Sequence, residues 1–122
     1  MPDNRRRKRR KPVGEPGASE RFGKKASGSW IELRCRVIRL LPDDREGEAH
    51  QRMIVDAGEN HTLLIAHNLD IAERVPASLG DRIFVRGLFE WNDLGGLLHW
   101  THRDPMGFEE GGYIEHSRTR YA

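Results

Sequence analysis

A chain of 122 residues has room for one domain and little else, and its formal charge of +2 conceals a split. Residues 1–25 carry ten Lys or Arg against three Asp or Glu, a net of +7, whereas residues 26–122 carry eleven against sixteen, a net of −5. An acidic body argues against a broad phosphate-tracking surface over the whole domain, and a single cysteine, Cys35, excludes an intrachain disulfide.

The run Arg5, Arg6, Arg7, Lys8, Arg9, Arg10 and Lys11 repels itself and buries no apolar surface, so it is expected to stay extended and solvated. Such a run attracts nucleic acid or another acidic partner, with strong salt dependence and little sequence preference. A merely solubilising arm accounts for it equally well. Residues 12–29 are rich in Pro, Gly, Ser and Lys, which reads as linker. The expected division is a disordered basic tail and linker over residues 1–28 and a folded domain over 29–122. The basic start is followed by no apolar signal core, and no stretch reaches membrane-spanning length. The expectation is therefore a cytoplasmic protein without a membrane span, its lone cysteine suiting a reducing compartment.

The elements follow in order. Ile31, Leu33, Cys35 and Val37 alternate with Glu32, Arg34 and Arg36, the period of a half-buried first strand. Cys35 reads as a small buried apolar side chain rather than a nucleophile. Residues 42–47 form a polar turn. Residues 50–56 and 62–67 read as a hairpin around Asp56-Ala57-Gly58-Glu59-Asn60. Asn68 is placed to cap a short helix over residues 69–75, ended by Pro76. Residues 82–91 and 97–102 supply two more strands across the turn Asn92-Asp93-Leu94-Gly95-Gly96, and Gly111-Gly112-Tyr113-Ile114 a closing segment. Three strands, a helix and two strands predict a mainly β fold, a small OB-fold-like five-stranded barrel with one short helix between strands 3 and 4. An SH3-like barrel and an open meander are the competing layouts.

The segments His50-Gln51-Arg52, Ala66-His67-Asn68, Glu90-Trp91-Asn92, His99-Trp100-Thr101-His102, Asp104-Pro105 and Gly111-Gly112-Tyr113-Ile114 resemble the bacterial domain-of-unknown-function family 3465. The resemblance covers roughly residues 30–121 and implies no particular reaction. It also implies two departures, Arg103 and the stretch Phe108-Glu109-Glu110 standing where the family pattern often has further histidines.

The sequence supports three kinds of site. As a binding domain, the barrel would take single-stranded nucleic acid or another anionic ligand. Trp91 and Trp100 flank the turn between strands 4 and 5, with Arg52 and Arg86 as cations. The candidate ligand contacts are Arg52, His67, Asn68, Glu90, Trp91, Asn92, His99, Trp100, Thr101 and His102. The alternative for the tryptophans is core, as is expected of Phe84 or Phe89. As a metal-dependent hydrolase, the chain would use His99, His102 and Asp104 for a divalent ion, provided a bend at the strand end brought them together. No other cofactor is indicated, and no nucleophile elbow or phosphate-cradling Gly loop occurs. As a protein-interaction module, the chain would dock through its tail on an acidic partner. Buried His, Asn and Thr that satisfy one another account for the same cluster without any ligand.

Overall fold

The computed structural model describes residues 21–122, and the expected contacts of Arg5, Arg6, Arg7, Lys8, Arg9, Arg10 and Lys11 lie outside them. After a 3-10 turn at Lys24–Ala26 come seven strands: β1 (Trp30–Asp44), β2 (His50–Asp56), β3 (Thr62–Asn68), β4 (Arg82–Glu90), β5 (Leu97–His99), β6 (Tyr113–His116) and β7 (Thr119–Tyr121). The fold is mainly β. No helix among the described residues is long and apolar enough to cross a membrane.

Five strands close a ring in the order β1-β2-β3-β5-β4, because β1 pairs with β4 through residues 30–36 and with β2 from residue 36 onward. The pairing of β3 with β5 is parallel and the rest are antiparallel. A single strand can serve two partners because it bends. Ile38 is an unpaired extra residue between Val37 and Arg39, and a second irregularity lies between Leu41 and Asp44. Such bulges sharpen the bend and twist of a strand. β6 and β7 extend the sheet outward from β4.

The alternation of β1 sends Ile31, Leu33, Cys35 and Val37 into the ring, where they meet Met53, Val55, Leu63, Ile65, Ile83, Val85, Phe89, Leu98 and Ile114. The opposite phase leaves Glu32, Arg34 and Arg36 on the outside. Of the two phenylalanines of β4, Phe89 is core and Phe84 lies on the outer face, half-buried.

Three expectations need correction. Residues 21–28, read as linker, pack on the domain. Phe22 is buried and stacks on His61 at 4.6 Å, and Gly28 N–H donates to Phe89 O at 2.8 Å. One aromatic residue among Gly, Ser and Lys carries no periodicity by which to recognise it. The polar turn begins later than expected, since β1 runs through Pro42 to Asp44 at a bulge, one of the few places a strand admits proline.

The third correction is the helix between the third and fourth strands. Residues 69–71 make a single turn and the chain then runs irregularly to β4. Asn68 does cap that turn, its Oδ1 accepting from Asp70 N–H at 2.8 Å and its carbonyl from Ala72 N–H at 3.0 Å. The groups a helix would need next are taken by side chains. Gln51 donates to Val75 O at 2.8 Å and accepts from Val75 N–H at 2.9 Å, while Glu73 O binds His67 and Ile71 O binds Arg103. Local capping lost to long-range hydrogen bonds.

Candidate functional site

β5 stops at His99 because Trp100 sits at φ +54°, a left-handed conformation rare for a bulky side chain. The expected strand over 97–102 ends there, and the alternation breaks: Thr101 and His102 are both buried. The Gly-Gly step packs directly on this kink. A Cβ on Gly112 would collide with the carbonyls of Arg86 and Trp100, and one on Gly87 would lie 2.9 Å from His99 O. Gly112 N–H donates to His102 O at 2.7 Å.

His67 is fully buried at the end of β3. Its Nε2 lies 2.9 Å from Glu73 O, and since a carbonyl only accepts, that nitrogen carries the proton. Nδ1 then accepts from the Thr101 hydroxyl at 2.7 Å. Burial pushes the imidazole down to about 4, so it is neutral at pH 7. Asn68 is likewise used internally, donating to Glu48 Oε1 at 2.6 Å. His67, Asn68 and Thr101 therefore hold the fold, with no side-chain group left over for a ligand.

His102 donates from Nδ1 to Arg103 O at 2.7 Å and stacks on Trp100, with centroids 6.0 Å apart and planes inclined by 22°. Trp100 in turn meets Trp30 edge-on at 6.0 Å, and the Arg86 guanidinium lies 4.6 Å from the Trp30 ring. Arg86 is fixed by Gly111 O at 2.7 Å and Glu32 at 3.1 Å. His102, Trp100, Trp30 and Arg86 thus form one contiguous aromatic and cationic row, stacked at its ends and edge-on between the two tryptophans. Trp100 Nε1 is buried without a hydrogen-bond partner. His99 Nε2 approaches Glu90 Oε2 at 2.8 Å, an ion-pair distance at an angle that makes no hydrogen bond.

The other sequence-predicted residues scatter. Trp91 is exposed, with Lys24 Nζ 4.7 Å above its ring. Asn92 Oδ1 holds its own turn, accepting from Leu94 and Gly96 N–H at 2.9 Å each. Arg52 reaches Pro42 O at 3.0 Å. Asp104 accepts from the amides of Met106, Phe108 and Glu109, which hold its carboxyl below the usual range, the Met106 amide most of all. The kink at Trp100 supplies a bend, yet it does not gather His99, His102 and Asp104: among the described residues no three His, Cys, Asp or Glu side chains are placed to hold a metal ion. The expected contact set lacks Trp30, Gln51 and Arg86, the last named only as a nearby cation. Trp30 carries a legible signal, since it falls on the outward phase of the first strand.

Fold and site together define a small β domain with a closed five-stranded ring and a cation–aromatic stack on its outside. The family model described as "Protein of unknown function (DUF3465)" matches residues 18–122, and the chain belongs to that family. No curated protein and no solved structure matches the chain.

Proposed function

We propose that this domain is a non-enzymatic OB-like barrel that binds single-stranded nucleic acid, with the basic tail adding sequence-independent attraction. The ring order with parallel β3 and β5 supports the OB-like reading. The observation that carries the ligand is the stack of His102, Trp100, Trp30 and Arg86. Bases stack on aromatic faces at about 1–3 kcal/mol per base while cations hold the phosphates. Trp30 lies on the outward phase of the first strand and Arg86 opposite that strand's Glu32, so both belong to the outer face of the ring. A cytoplasmic setting belongs to the same reading and suits a free, buried Cys35.

The test is oligothymidylate binding by the full chain, read by quenching of tryptophan emission. Trp30→Leu is expected to weaken binding about tenfold or more, the equivalent of one lost stacking contact. Arg86→Gln gives a second reading of the same site. Unchanged affinity in both variants would remove the nucleic-acid reading of the domain.

A protein-interaction module is the second reading. It is favoured by Met106 and Phe108, 71% and 83% exposed on a loop that the Asp104 carboxylate holds in place. Two large apolar side chains held out on one loop give a partner a pair of anchors to bury. Replacing both by Ser leaves oligonucleotide binding unchanged if the stack is the site.

A further inference from the structure

The outer face that carries the aromatic stack continues along β1 and β4 to a second feature. Beyond Glu32 and Arg86 the cross-strand pairs are Arg34 opposite Phe84 and Arg36 opposite Arg82. At about 3.3 Å per residue, the Arg36 end lies roughly 20 Å from Trp30. An open groove of about 660 Å³ lies here, lined in part by Arg34, Arg36, Arg82, Phe84, Glu115 and Arg118.

Two arginines directly opposite one another on the solvent face are destabilising unless something neutral or negative lies between them. The groove's own acids offset only part of this charge. Glu115 is held by Arg120 through contacts of 2.6 and 3.0 Å. Asp56, which faces Arg36 on β2, turns its Oδ1 to Gly58 N–H at 2.8 Å. Arg36, Arg82 and Arg118 make no ion pair among the described residues, whereas Arg45, Arg74, Arg86 and Arg120 do. Arg34 lies over the Phe84 ring, its guanidinium carbon 5.6 Å from the ring centre. Four arginines thus line a groove with two acids, Asp56 and Glu115, and Glu115 is taken by Arg120.

We propose that this groove is a phosphate-binding site that takes an oligophosphate chain, with Arg36 and Arg82 gripping one phosphate between them and Arg118 the next. Guanidinium forks match phosphate oxygens two at a time, and an anion between Arg36 and Arg82 converts their repulsion into attraction. The ligand chemistry is shared by a free oligophosphate and by a phosphodiester backbone. The proposal does not rest on the aromatic stack.

The experiment follows backbone amide shifts of the full chain by NMR, adding tripolyphosphate in one arm and an eight-residue oligothymidylate in the other. Residue-resolved shifts separate the groove from the basic tail. Saturable shifts over residues 34–36, 56–58, 82–84 and 115–118 are expected, and a response to the oligonucleotide alone assigns the backbone as the source. Arg36→Gln with Arg82→Gln, both exposed, is expected to weaken the groove response at least tenfold while the tail response persists. Lys25→Gln with Arg45→Gln removes the same charge elsewhere and leaves the groove response intact. Shifts confined to residues 5–11 in both arms, or an equal loss in the control pair, would overturn the proposal. Groove binding that survives Trp30→Leu separates this site from the aromatic one.

Discussion

The Thr101 hydroxyl donates to His67 Nδ1 across 2.7 Å, joining the end of β3 to the segment just past β5 in the interior of the domain. Those two strands form the single parallel contact of the ring, where only Leu64–Leu97 and Ile65–Leu98 are in register. The side-chain bond ties together a short junction that has few ladder bonds of its own. Its partner on the other side is Glu73 O, available because residues 72–75 do not coil into a helix.

Thr101→Val should therefore cost about 1–3 kcal/mol, since the isostere leaves a buried ring nitrogen without its donor. In a domain of this size that corresponds to a fall in Tm of roughly 4–8 °C for each kcal/mol. Thermal unfolding followed by circular dichroism reads it. An unchanged Tm would mean that the bond contributes nothing.

The same histidine makes stability depend on pH. Its folded value is pushed from 6.5 down to about 4, so between those limits the unfolded chain binds a proton that the folded chain does not. The contribution is complete above pH 6.5 and is lost as pH falls towards 4. It amounts to about 3 kcal/mol. Urea unfolding at pH 7.5, 6, 5 and 4.5 should show that decline, and the His67 ring should remain neutral by NMR throughout most of it.

Gly112→Ala should be among the most damaging single changes. The added methyl meets two backbone carbonyls, of Arg86 and Trp100, neither of which is free to move. Overpacking of this kind costs about 1–3 kcal/mol or more. Denaturant midpoints of the variant check it, with Gly58→Ala as a comparison whose strain comes from φ +95° in open space.

Cys35 should be chemically silent in the folded protein. Burial, with Asp56 adding to it, pushes the thiol up to about 12. Alkylation at pH 8 should proceed only through transient unfolding and accelerate sharply in urea. Rapid labelling of the native protein would contradict the buried position.

Much of the ring is legible in the sequence because one face of each strand is core. Ile31, Leu33, Cys35 and Val37 mark the first strand, and Gly58 within a polar break marks the hairpin between β2 and β3. What stayed hidden depends on contacts distant in sequence. Gln51 dismantles the expected helix from 24 residues away, and the left-handed Trp100 cuts the last ring strand short. β7 was missed because its turn, Ser117-Arg118, takes two left-handed residues without Gly or Asn, which leaves no turn signal. Of the candidate site, the His-Trp-Thr-His segment was visible. The division into buried His67 and Thr101 and a stacked His102 and Trp100 was not, because it follows from the kink.

On the proposed function, the domain itself, and not only its tail, binds single-stranded nucleic acid. The direct measurement is fluorescence anisotropy of a labelled oligothymidylate across a salt titration. It compares the full chain with a variant in which Arg5, Arg6, Arg7, Lys8, Arg9, Arg10 and Lys11 are replaced by Gln. Weaker binding and a shallower salt slope are expected in the variant, with a residual affinity that Trp100→Ala or Trp30→Leu lowers about tenfold or more. Complete loss of binding on neutralising the tail would contradict it.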